Sequence, residues 1–194
     1  MKGVYAQQRV TGLDGKEKLA VSGVQLPAFG SVVLELVPGD PSEESVFRME
    51  GNVLETPFAR MVFDKEGRIA SFIDIKAQRE LCGEGYPLNT FLVAEEVSAE
   101  YDNWDIDADC EMKFRDSGRL LERNVVADGR VEFLIRSKYQ LTARSTLTQD
   151  MIFYADNPQV RFETSIDWQD VHRFLKAAFD TSIFTDFALS LIHI

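Results

Sequence analysis

The chain has 194 residues, 45% of them hydrophobic and 27% charged, with 32 acidic against 21 basic side chains and a net charge of −11. That apolar share supports a buried core and excludes a disordered polyelectrolyte, and the length suits one domain or one domain with an appendage. A sequence pI near 4.7 argues against a nucleic-acid partner, which rewards clustered Lys and Arg; the absence of any apolar run of about 18 residues argues against a membrane span.

Residues 1–37 read as the end of a small β segment. Asp14-Gly15 divides Arg9-Val10 from Lys18-Leu19-Ala20-Val21, and Leu26 to Leu36 is rich in strand formers. Two or three strands alone are marginal in water, so this segment reads as part of a sheet whose other strands are missing. Residues 38–45, with Pro38, Gly39, Pro41 and acidic neighbours, read as a linker. From 46 to 188 the pattern is a sandwich of short strands. Asp64-Lys65-Glu66-Gly67 and Asp128-Gly129 each place a glycine where a hairpin turn needs positive φ, and Asp156-Asn157-Pro158 marks a further turn. After it, Val160, Phe162, Thr164, Ile166 and Trp168 alternate with Arg161, Glu163, Ser165 and Asp167, giving one apolar and one wet face. Ser71 to Leu81 has room for a helical turn, but Ile73 and Ile75 suit a strand better. Phe174 to Phe179 reads as a strand. The fold class is all-β, an antiparallel β-sandwich.

The chemistry-bearing residues are few. Cys82 and Cys110 can make at most one bridge and no cysteine-type zinc site, and His172 and His193 are the two histidines. Nucleophile elbows and phosphate-binding glycine loops are absent. The densest polar run is Glu95, Glu96, Glu100, Asp102, Asp105, Asp107, Asp109 and Glu111. Asp105, Asp107 and Asp109 echo the start of an EF-hand loop, but Cys110 stands where the turn glycine belongs and Asp116 where the bidentate Glu belongs. A pair of these carboxylates has the chemistry for glycoside hydrolysis; the plain reading is a solvated acidic loop. Tyr101 and Trp104 within it favour a carbohydrate rim, with a ring to stack on a sugar face and carboxylates for its hydroxyls.

Several strings, in order, resemble one family. Leu54 to Asp74 resembles the strand-turn-strand that opens the C-terminal β-domain of glycoside hydrolase family 38, the α-mannosidases. Asn103-Trp104-Asp105-Ile106-Asp107 is similar to that family's Trp-Asp loop. Ser145 to Gln149, Tyr154 to Pro158, Phe162 to Trp168 and His172 to Phe179 follow in the family's order, and Leu26 to Gly30 is similar to its β segment before the linker. The resemblance implies a truncated supersandwich of the galactose-mutarotase-like type. It also implies a parent enzyme that hydrolyses α-mannosides with retention, through zinc and an aspartate nucleophile held by an N-terminal catalytic barrel and a helical bundle, both outside this chain. Those domains would be its partners in cis; a homo-oligomer stays open. Under that implication no catalytic or metal-binding residue falls in this chain, and Trp104, Asp105, Asp107 and Tyr101 are the candidate cleft-rim residues. The rival reading is a non-catalytic carbohydrate-binding or structural β-sandwich module. No signal peptide or Asn-x-Ser/Thr acceptor is visible, so the expected compartment is the cytoplasm. Residues 189–194, Leu-Ser-Leu-Ile-His-Ile, match one reading of a transposase adapter end and are expected to be a non-native tail.

Overall fold

The computed structural model describes residues 5–36, 44–98, 100–101 and 104–186. The linker expected at 38–45 falls largely outside these residues, and the expected tail at 189–194 wholly so.

Turn residues fold the chain into antiparallel hairpins. β1 (Ala6–Thr11) and β2 (Glu17–Ser22) pair through the Asp14-Gly15 turn. β3 (Arg48–Glu50), β4 (Val53–Glu55), β5 (Ala59–Phe63), β6 (Ile69–Asp74) and β7 (Arg79–Glu80) form a five-stranded meander. β8 (Thr90–Glu95), β9 (Arg115–Asp116) and β14 (Arg173–Ala178) make a three-stranded sheet with β8 in its centre. β10 (Arg119–Asp128), β11 (Glu132–Gln140), β12 (Thr146–Tyr154) and β13 (Val160–Asp167) form a four-stranded meander. One helical turn, α1 (Cys110–Lys113), interrupts the pattern.

The main core lies between the five- and four-stranded sheets. Leu54, Ala59, Met61, Phe63 and Ile69 from one meet Phe133, Ile135, Met151 and Phe153 from the other, with Phe47 and Leu88 filling the ends. This is the face-to-face packing of a β-sandwich. The outer face of the four-stranded sheet is covered as well. Val10 and Ala20 of the β1–β2 hairpin pack on Ala127, Leu134 and Ile152. The Gln8 amide seals this contact: Nε2 donates to Glu132 O at 2.9 Å, and Oε1 accepts from Val131 N and Glu132 N at 3.0 and 2.9 Å. Two-sided cover explains why β11 and β12 are buried along most of their length rather than alternating.

Two expectations need amendment. Gly129 is not a positive-φ residue. A Cβ there would lie 2.5 Å from Gln8 Cδ, so the glycine serves the close approach of the hairpin rather than the turn. Residues 23–36 hold no strand, and Leu26, Phe29, Val33 and Leu36 are exposed. In β13 the alternation holds only at the start, with Val160 and Phe162 packed on the main core and Arg161 exposed, while Thr164 is exposed. Ile166 is exposed as well, because β13 is an edge strand.

Gly67, at φ 74, does need its freedom. A Cβ there would also stand 3.1 Å from Tyr139 Oη. Gly67→Ala should therefore cost about 1–2 kcal/mol, read as a lowered urea midpoint; an unchanged midpoint would show that the turn is not held in this conformation.

Candidate functional site

The acidic run becomes the connection between β8 and β9, residues 96–114, of which all but 99, 102 and 103 are described. Its base is rigid. Glu96 N donates to His172 O at 2.9 Å, tying the loop to the start of β14. Cys110 and Phe114 bury against Leu92 and Ala94, with Phe174 and Ala178 alongside. The Phe114 and Phe174 rings lie 5.7 Å apart, and Lys176 Nζ sits 4.6 Å from the Phe114 centroid. Lys176 also pairs with Glu111, so α1 is clamped to β14 by charge and by ring contacts.

The rim is built above this base. Tyr101 holds φ 53, a conformation that costs a non-glycine residue about 1–3 kcal/mol and recurs at functional loops. Its carbonyl accepts from Trp104 N at 2.6 Å and Asp105 N at 3.0 Å, closing a tight turn. The turn presents Trp104 and Tyr101 to solvent, 88% and 71% exposed. Asp107 O accepts from Cys110 N at 3.0 Å at the entrance to α1.

The carboxylates divide into two groups. Asp109 is committed to Lys113 at 2.9 Å, and Glu111 to Lys176. Asp105, exposed, and Asp107, half-buried, make no ion pair with a described residue. The structure thus brings Tyr101, Trp104 and Asp105 onto one turn and places Asp107 just beyond it. Exposed rings beside carboxylates that make no ion pair with a described residue can stack on and hydrogen-bond a sugar. Both thiols are weak acids here: burial, with Glu80 adding to it, pushes Cys82 up to about 11, and burial raises Cys110. Neither is a thiolate at neutral pH.

Some features had no sequence signal. At the loop base Glu96 is buried, and its Oε1 and Ser98 Oγ have no hydrogen-bond partner among the described residues. In sequence Glu96 is one acid among eight. A cleft of about 310 Å³ opens between the β5–β6 turn and the β9–β10 connection, lined by Lys65, Glu66, Arg68, Asp116 and Arg119 among others. Its acids are already engaged: Arg68 bonds Asp64 at 2.7 Å and pairs with Asp116, and Glu66 accepts from Leu120 N at 2.9 Å. That network fastens the β5–β6 turn to the start of β10.

Comparison with known proteins places the chain in a family. Residues 54–193 match the model described as glycosyl hydrolases family 38 C-terminal domain. The chain belongs to glycosyl hydrolase family 38. Within that family it is 28% identical to Alpha-mannosidase 2C1 of Homo sapiens over 136 residues, which are 69% of this chain and 13% of that protein. Alpha-mannosidase 2C1 of Mus musculus is 28% identical over 146 residues, 73% of this chain and 14% of the relative. Alpha-mannosidase G of Dictyostelium discoideum is 23% identical over 131 residues, 64% and 12%. The chain therefore spans only a small share of the curated relatives it matches, and that share is the family's C-terminal β-domain. The family 38 match runs through the loop that carries Tyr101, Trp104, Asp105 and Asp107. No described helix is long and apolar enough to cross a membrane.

Proposed function

We propose that this domain is the C-terminal β-sandwich of a cytoplasmic, zinc-dependent, retaining α-mannosidase that hydrolyses terminal α-D-mannosides. In this proposal it buttresses a catalytic barrel and helical bundle in the rest of the parent chain, and the 96–114 loop forms part of the rim of the substrate cleft. The observation that carries the rim is the outward presentation of Trp104 and Tyr101 on a loop whose base is clamped, next to Asp105, which makes no ion pair with a described residue. An aromatic ring offers an apolar sugar face a large contact at low entropic cost. Asp105 and Asp107 accept hydrogen bonds from sugar hydroxyls.

The described residues do not fit a zinc site: they contain no group of three or more His, Cys, Asp or Glu positioned to hold a metal ion. The proposal therefore assigns the zinc, the aspartate nucleophile and the covalent glycosyl intermediate to the parent's catalytic domain. What this chain's residues do is bind and orient. The β1–β2 hairpin and residues 23–36 are proposed as the end of the preceding β segment, with 38–45 as its linker to the sandwich.

Incubating the purified 194-residue chain with an aryl α-mannoside tests the division of labour. No release above the blank is expected, and turnover by this chain alone would overturn it. The exposed Trp104 also supports a second reading, a carbohydrate-binding module that acts alone. Titration of the chain with mannose oligosaccharides separates the two. A cleft rim without its cleft should bind negligibly; saturable binding abolished by Trp104→Ala would favour the module. Because Trp104 is exposed, Trp104→Ala should leave stability within about 0.5 kcal/mol, measured by urea unfolding; a larger loss would make the ring structural.

A further inference from the structure

The two outer strands of the four-stranded sheet, β10 and β13, treat their open edges differently. The pairing of β10 with β11 is broken by register shifts between Leu120 and Glu122 and between Val125 and Ala127. Bulges of this kind twist an edge away from further pairing. β13 has no such shift. Its eight residues pair in continuous register with β12, from Val160 opposite Phe153 to Asp167 opposite Thr146. The strand contains no proline, and among the described residues no strand pairs with its outer side. Arg161, Thr164, Ser165, Ile166 and Asp167 are all exposed. Alternate residues of such a strand present N–H and C=O groups outward, which is a template for one more antiparallel strand.

The strand that fits this edge best is β13 itself. Laid antiparallel to a second copy with Thr164 opposite Thr164, it brings Arg161 across from Asp167 at both ends, two ion pairs of opposite charge on the wet face. Glu163 then meets Ser165. On the inner face Ile166, 46% exposed in the single chain, meets the half-buried Phe162 of the other copy, again twice. The two adjacent registers that keep inner face with inner face are both disfavoured. One sets Glu163 against Glu163, and the other sets Glu163 against Asp167 twice, and like charges directly opposite repel. Arg161 bonds Glu163 of its own strand at 2.6 Å, with side chains 57% and 28% exposed, and a solvent-exposed pair of this kind is weak enough to exchange partners. We propose that β13 is an interface between two copies of this chain, which join their four-stranded sheets into one continuous sheet across a two-fold axis at Thr164.

Sedimentation equilibrium of the whole 194-residue chain tests this, from about 1 to 200 μM and in about 0.15 M salt to screen its net charge of −11. One added strand per copy makes an interface below about 1,200 Å², so a monomer–dimer equilibrium in the micromolar range is expected. Asp167→Arg, which sets an arginine against Arg161 of the other copy, should raise the dissociation constant by about tenfold or more. Combining it with Arg161→Asp recreates both pairs with the signs exchanged and should bring the constant back to within about threefold of wild type. Thr164→Cys should join two chains by a disulfide when treated with oxidised glutathione, because the axis sets position 164 against itself; wild type, with Cys110 buried and Cys82 half-buried, should not. All three positions are exposed in the single chain, so the variants should fold. A chain that stays monomeric over the whole range would overturn the proposal. So would association that Asp167→Arg leaves unchanged, which would put the contact on another face, a double variant no better than Asp167→Arg alone, or a dimer that Thr164→Cys does not link.

Discussion

Replacing Arg136 by methionine should remove about 3–5 kcal/mol of folding stability. Asp150 of β12 is completely buried, and Arg136 of β11 is its bidentate partner, Nε to Oδ1 at 2.7 Å and Nη2 to Oδ2 at 2.8 Å. Nη2 also donates to Thr11 O at 3.1 Å, so the same guanidinium holds the β1–β2 hairpin on the sheet. The variant leaves a carboxylate in the interior with no counter-charge, and the loss is that carboxylate's desolvation rather than the net worth of the pair. Arg136→Lys should fall between, because an ammonium cannot reproduce the fork. The double variant Arg136→Met with Asp150→Leu should recover much of the loss, since an apolar pair is often as good as a buried ion pair. Urea unfolding of the three variants checks this. A loss below about 1 kcal/mol for Arg136→Met would mean that water reaches Asp150 and that the hairpin does not seal the sheet.

Phe133→Ala should cost a similar amount, about 3–5 kcal/mol. Phe133 lies in the middle of the cluster shared by the two sheets, 1% exposed and 5.6 Å, centroid to centroid, from Phe47. Truncation removes the transfer energy of the ring and leaves a cavity that rigid strands on both sides cannot collapse to fill. Ile166→Ala, on the exposed edge strand, should cost under about 1 kcal/mol although the sequence pattern places it on the same apolar face. Equal losses at the two positions would contradict the sandwich as described.

That contrast shows what sequence reading reaches. Hairpins were legible wherever Asp and Gly fix a turn locally, as at Asp14-Gly15 and Asp64 to Gly67, because turn chemistry is a property of neighbouring residues. The face of Ile166 was legible from period two; its exposure was not, because exposure depends on whether another strand lies beside β13. Gly129 was readable as a turn residue, but its reason for being glycine sits at Gln8, on a distant hairpin. The Arg136–Asp150 pair arises from register between β11 and β12, and no local pattern encodes register. In the candidate site, Tyr101, Trp104, Asp105 and Asp107 were legible as chemistry. The helical turn at Cys110–Lys113 and the Lys176 clamp at the base of their loop were not, since both depend on β14, some sixty residues further on.

In the proposed role at the cleft, the carboxylates of the loop need only accept hydrogen bonds, and its rings need only face a sugar. The fold supplies that by clamping the base of one loop while leaving its tip to solvent. The family match assigns the domain; the loop geometry supports a role for it at the cleft.

The most direct test is the KM of the full-length parent enzyme for an aryl α-mannoside, wild type against Trp104→Ala. The prediction is a rise in KM of about tenfold, equivalent to about 1.4 kcal/mol of lost ring–sugar contact, with kcat within about twofold. An unchanged KM in a folded, active variant would contradict a place for Trp104 at the cleft.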